Sequence, residues 1–143
     1  MKRYMLDTNM VSHVVKGNPH ALVQLTSVPM AALCISSVTL GEIHFGLAKR
    51  PDATRLHAAV RELLRRVEVL PWDEAVAETY GTLRAKMALT GRVLGALDML
   101  IAGHALHIGA VLATSDNAFR MVPRLMVVDW TQETPQLHEG RLR

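Results

Sequence analysis

Apolar positions along the chain fall into short unbroken runs separated by longer stretches with helical spacing. Tyr4 to Leu6 is the first run, and it stops at an acid, Asp7, followed by the small polar residues Thr8 and Asn9. A run so bounded predicts a buried strand, with Asn9 as N-cap of a helix that Gly17 closes. Pro19 opens a second, short helix ending near Ser27. Ala31 to Ile35 predicts a second buried strand. A helix from Val38 to Lys49 follows, capped by Ser36 and Ser37 and stopped by Pro51. Leu56, Val60, Leu63 and Leu64 make one stripe of a helix over Thr54 to Arg66. A third strand, Val67 to Leu70, ends at Pro71, and Asp73 caps a long helix that ends before Gly91. Gly95 to Asp98 leads into a further helix closed by Gly109, and Ala110 to Ala113 and Met126 to Val128 supply strands four and five.

Strands that alternate with helices predict an α/β fold: a central parallel sheet of about five strands with helices on both faces. No repeat, low-complexity tract or linker divides it, so residues 1–130 are expected as one domain. Residues 131–143 form a polar tail containing Pro135 and Gly140, expected to fray. In a parallel sheet, ligands bind outside the carboxyl ends of the strands, near the switch in strand order. Asp7 is expected there, and Asp116 follows strand four in the same manner, within Thr114-Ser115-Asp116-Asn117.

Composition narrows the picture without changing it. Of the 143 residues, 50% are hydrophobic and 20% charged, as for one globular domain. The net charge of +3 permits a polyanionic partner, while few aromatics argue against stacking on extended single strands. The one cysteine, Cys34, sits in an apolar run and reads as a buried small hydrophobe. With no partner for a disulfide it fits a reducing, cytoplasmic setting. No apolar stretch is long enough to span a membrane, and the start lacks the pattern of a signal peptide.

Two further acids are candidates for the same sheet edge. Asp98, in the first turn of its helix, shares a face with the small apolar Ile101, Ala102 and Ala105. Glu42 lies in an apolar-rich turn with no Lys or Arg within four residues. For each acid the plainer reading is a turn, cap or solvated helix residue. Carboxylates gathered at one edge cannot all ionise without a counter-charge. Divalent cations supply one, and an all-oxygen donor set suits Mg²⁺ or Mn²⁺ over Zn²⁺. Such ions activate water and neutralise charge on a phosphoryl group. Thr8, Asn9, Ser115 and Asn117 are placed to hydrogen-bond the ligands or their waters.

The segments Met5-Leu6-Asp7-Thr8-Asn9, Ile35-Ser36-Ser37-Val38-Thr39-Leu40-Gly41-Glu42, Leu97-Asp98-Met99-Leu100-Ile101-Ala102-Gly103-His104-Ala105 and Leu112-Ala113-Thr114-Ser115-Asp116 resemble the four acidic motifs of PIN-domain ribonucleases, and of VapC toxins among them. The resemblance runs from Lys2 to about Trp130. It implies a PIN fold and Mg²⁺- or Mn²⁺-dependent endoribonuclease activity, with Asp7, Glu42, Asp98 and Asp116 as the catalytic, metal-holding acids. It also implies a VapB-type antitoxin and a homodimer. Where many relatives carry one more acid before the following Phe, Asn117 and Ala118 stand here. The runs Cys34 to Leu40 and Ile101 to Ala105 resemble the subgroup that cuts initiator tRNA in its anticodon loop.

Basic residues are spread along the chain, and Lys86 and Arg92, before the loop to Asp98, are the preferred RNA contacts. His104 and His107 are expected to be solvated, with no zinc-like partner at a ligand spacing. An aspartyl phosphatase would need an acid where Asn9 stands, and a receiver-like domain one at the end of strand three, where Leu70-Pro71-Trp72 stands. Other readings are a PIN-domain nuclease that is not a toxin and a PIN-like domain that binds RNA without turnover.

Overall fold

The structure is a computed structural model that describes residues 2–141; the first position of the expected domain and the last two of the expected tail lie outside the described residues. Six strands form one sheet in the order β3-β2-β1-β4-β5-β6. They are β1 (Tyr4–Leu6), β2 (Leu33–Ser36), β3 (Glu68–Leu70), β4 (Val111–Ala113), β5 (Met126–Val128) and β6 (His138–Glu139). The first five are parallel, as the alternating pattern predicts, and β6 runs antiparallel to β5.

Successive strand residues supply opposite faces. Leu6, Leu33, Ile35, Val111, Ala113 and Val128 pack on one side against α1 (Thr8–Val15), α2 (Pro19–Ser27), α3 (Ser37–Ala48) and α4 (Thr54–Arg66). Met5, Cys34, Leu112 and Val127 pack on the other against α5 (Glu74–Leu89) and α6 (Ala96–Ile108). The stripe on α4 turns inward as its spacing demands, with Val60 and Leu63 buried. Gly103 of α6 lets that helix approach α5 closely: a Cβ there would stand 3.0 Å from Tyr80 Cβ. Cys34 is fully buried, and burial pushes its thiol up to about 11, so it is packing and not a nucleophile.

Three local expectations are corrected. The N-cap of α1 is Asp7, not Asn9: its backbone is extended and its Oδ1 accepts from Met10 N at 2.7 Å, while Asn9 lies within the helix. The second strand starts at Leu33, because Met30–Ala32 close into a 3₁₀ turn first. The tail does not simply fray. His138–Glu139 pair with β5, Gly140 N donates to Leu125 O at 3.0 Å, and Arg124 N donates to Gly140 O at 2.8 Å. A Cβ on Gly140 would sit 1.6 Å from Val122 O, so only glycine allows that approach.

Candidate active site

The strand order reverses between β1 and β4, which makes their carboxyl ends the switch point of the sheet. Asp7 follows β1 and Thr114 follows β4, immediately beyond the paired residues Leu6 and Ala113. Asp7 N donates to Ala113 O, and the Thr114 hydroxyl donates to Asp7 Oδ2. Asp7 is 2% exposed, with one oxygen on the first turn of α1 and the other on Thr114. Thr114 Oγ1 also accepts from Asp116 N at 3.0 Å, and Asp116 caps the following 3₁₀ turn through Ala118 N. One threonine thus fixes the relation between two acids that are far apart in sequence.

The other two acids come from helices. Asp98 stands in the first turn of α6, half-buried, over the buried Ile101, Ala102 and Ala105. Glu42, on α3, is half-buried and its Oε1 accepts from the Thr8 hydroxyl. All four expected acids therefore reach one neighbourhood, as the electrostatics show. Burial, opposed by the bonds from Thr114 and Met10 and reinforced by Asp98 and Asp116, raises Asp7 from 3.8 to about 7. Burial first, then Asp116 and Glu42, raises Asp98 above the usual carboxylate range. Asp98 and Asp116 make Asp7 harder to ionise, and Asp116 and Glu42 do the same to Asp98, which is the condition a divalent cation relieves.

Among the described residues, no three His, Cys, Asp or Glu side chains converge as a preformed cage. Asp7 and Glu42 are instead turned into hydrogen bonds with Thr114 and Thr8. Mg²⁺ retains several waters and takes few protein oxygens directly, so an open ring of carboxylates fits it.

The expected supporting residues divide. Thr8 holds Glu42, and the Ser115 hydroxyl donates to Asn9 Oδ1 while lying 3.2 Å from His13 Nε2. Asn117 is exposed in the turn after Asp116. Thr114 and His13 had not been singled out from sequence; Thr114 carried a signal, since it is the first residue past a buried strand.

The two cations expected to contact RNA are placed differently. Lys86, exposed on α5, lines a concavity with Leu83 and Leu106 and stands one residue before Met87, which lies with Ala96 and Met99 at the start of α6. Arg92 spends its guanidinium on the backbone, Nη1 donating to Met121 O at 2.9 Å and Arg141 O at 3.1 Å. His104 is also corrected: it is 1% exposed and hydrogen-bonded to Ser36, whereas His107 is exposed as expected.

A sequence model of the PIN domain matches residues 4–125, a span that holds all four acids. The chain belongs to the PIN domain family. Within the family it is similar to the tRNA(fMet)-specific endonuclease VapC of Shigella flexneri, at 35% identity over 92% of this chain and 100% of that one. It is 30% identical to Ribonuclease VapC2 of Haemophilus influenzae, over 91% of this chain and 99% of the relative. The crystal structure of DNA-bound VapBC from Salmonella typhimurium superposes with a TM-score of 0.83 at 35% identity, covering 91% of this chain and 99% of that chain. The PIN fold and the VapC resemblance therefore both stand, and the chain is a VapC-type PIN domain.

Proposed function

We propose that this PIN domain is a Mg²⁺- or Mn²⁺-dependent endoribonuclease toxin that cuts tRNA, in the anticodon loop of the initiator species, and is silenced by a VapB-type antitoxin. The observation that carries the reading is the gathering of Asp7 and Asp116 around Thr114 at the switch point, with Asp98 beside them and Glu42 beside Asp98. Asp7, Asp98, Glu42 and Asp116 would hold the metal. The bound ion would supply an activated water and neutralise charge on the scissile phosphate. The chain's own part is positioning. Thr114 turns Asp7 Oδ2 and, through Asp116 N, sets the neighbouring acid, while Thr8 steadies Glu42. Burial of Asp7 keeps bulk water from competing for its oxygens.

The substrate is the finer step. The names of two relatives, at 35% and 34% identity, specify tRNA(fMet). Few aromatics for stacking also favour a folded loop over an extended strand. Hydrolysis by water leaves a 5′-phosphate and a 3′-hydroxyl. The enzyme acts in the cytoplasm, where its RNA is; among the described residues no helix is long and apolar enough to cross a membrane.

The partner has a place to sit. A cavity of about 210 Å³ between α1, α3 and α4 is lined by Val11, Val15, Leu47, Leu56 and Val60 and opens beside Thr8 and Glu42. Its walls suit the apolar face of an antitoxin helix, and its acidic end suits a basic side chain from that helix. Solved relatives are VapBC complexes. The working unit is taken to be a homodimer, which sedimentation of the purified chain checks.

Sequencing of RNA 5′ ends after brief induction tests the function. Cuts in the initiator tRNA anticodon loop, absent with Asp98→Asn, support it. Scattered messenger cuts with that tRNA intact overturn the substrate, and no new ends overturn the nuclease.

A further inference from the structure

Glu42 and Asp98 ride on helices, not on the sheet, so their separation depends on what joins α3 to α6. Two adjacent serines at the start of α3 make that junction. Ser36 Oγ accepts from Val38 N at 3.1 Å, which caps α3, and lies 2.8 Å from Nδ1 of the buried His104 on α6. Ser37 Oγ accepts from Trp72 N at 2.9 Å, and the Trp72 indole Nε1 donates to the carbonyl of Leu100 on α6, also at 2.9 Å. The Trp72 ring is held edge-on against Tyr80, with centroids 5.6 Å apart. The start of α3 is thus tied to α6 at Leu100 and again one turn later at His104. Ser36 and Glu42 lie within two turns of each other along α3, and so do Asp98 and His104 along α6.

The imidazole is a costly choice for packing alone. Its neighbours along the helix, Ile101, Ala102, Ala105 and Gly103, are buried and nonpolar, and an aliphatic side chain would fill the space without needing a partner. A buried polar group that is satisfied at one defined position fixes one arrangement of the elements it joins. We infer that His104 is a positioning residue which, through Ser36, sets α3 against α6 and so fixes the spacing of the Glu42 and Asp98 carboxylates. The inference rests on the metal-dependent reading of those acids.

The test uses the full chain with His104→Leu, Ser36→Ala, the double variant, and His104→Asn, whose amide places a polar atom near that of Nδ1. Mn²⁺ binding is measured by calorimetry without RNA, kcat and KM on tRNA, and melting temperature in parallel. Each single variant should weaken Mn²⁺ binding and lower kcat by roughly tenfold, as losses of groups that orient metal ligands do. KM should hold, the double variant should be no worse than His104→Leu, and His104→Asn should recover most of the loss. Wild-type Mn²⁺ affinity and kcat in the folded single variants overturn the inference while leaving the nuclease reading intact. Additive losses that track melting temperature, with no recovery in His104→Asn, also overturn it. If His104→Leu does not fold, Ser36→Ala and His104→Asn decide by the same readings. A wild-type chain that neither binds Mn²⁺ nor cuts RNA removes both claims.

Discussion

Asp7 and Thr114 face each other one residue beyond the last paired residues of β1 and β4, and the Thr114 hydroxyl donates to Asp7 Oδ2. The contact makes the carboxylate part of the sheet's own architecture. Burial raises the pKa of Asp7 to about 7, with the Thr114 bond opposing the rise and Asp98 and Asp116 adding to it. The same residue caps α1. Asp7 therefore serves folding through its shape and function through its charge, and the two are separable.

Asp7→Asn should separate them. The folded pKa lies above the ordinary 3.8, so the protonated form is the one folding favours. That stability is fully present below about pH 4 and is lost as pH rises towards 7. Asparagine keeps the cap and mimics the uncharged acid. In metal-free buffer the variant should melt roughly 5 °C above wild type at pH 8, with the gap closing by pH 4. RNA cleavage should be lost at every pH. A variant less stable than wild type at pH 8 would mean that the charge itself is needed for the fold.

Metal should act on the same balance from the other side. A cation among the acids stabilises only the folded chain, so millimolar Mg²⁺ or Mn²⁺ should raise the melting temperature of wild type. Asp98→Asn removes one donor charge from the half-buried first turn of α6. It should fold normally, show little metal-induced shift and lose cleavage by at least about a hundredfold. EDTA should abolish cleavage by wild type. Undiminished activity after exhaustive chelation would end the metal assignment.

Arg92 and Lys86 should behave differently towards the RNA. Arg92 holds two backbone carbonyls and ties the loop before α6 to the turn after Asp116 and to Arg141, two residues beyond β6. Arg92→Ala should cost about 1–2 kcal/mol of stability, since charged hydrogen bonds contribute on that order. Lys86 is exposed on α5 near the start of α6 and stays free for phosphate, so Lys86→Ala should leave stability unchanged and flatten the salt dependence of RNA binding. An unchanged salt dependence in Lys86→Ala would remove it as a phosphate contact.

These two cations show where sequence stops. Strand ends, helix starts and the acids they deliver were legible because each is a local pattern: a short apolar run, a polar stop, a cap. Asp7, Glu42, Asp98 and Asp116 come together because each sits at such a stop or near the start of a helix. Lys86 and Arg92 lie near Asp98 along the chain, and the fold leaves Lys86 exposed on α5 while it engages Arg92. Nothing local distinguishes a guanidinium free for phosphate from one held by Met121 and Arg141. The short strand β6 was hidden for the same reason, because His138 and Glu139 form no apolar run and pair only where Gly140 meets Val122 O. His104 was more accessible: α6 is apolar on all sides, the mark of a buried helix, and His104 lies three residues after Ile101 on it.

The groove between α1, α3 and α4 yields the last prediction, and it concerns control and not chemistry. Leu56 is half-buried on α4 and lines the cavity with Val11 and Val15, and its aliphatic side chain makes none of the hydrogen bonds that set the acids. Leu56→Asp places a charge where an antitoxin helix would lay its apolar face, a mismatch costing several kcal/mol if the carboxylate is buried unpaired. The free toxin should fold, bind Mn²⁺ and cut RNA as wild type does. Co-expressed with a VapB-type partner, wild type should be recovered as an inactive complex, whereas Leu56→Asp should be recovered free and remain toxic. Glu42→Gln should behave differently: its effect should fall on metal binding and cleavage, while the apolar wall still captures the partner. If Leu56→Asp is captured and silenced as tightly as wild type, the antitoxin sits elsewhere on this PIN domain.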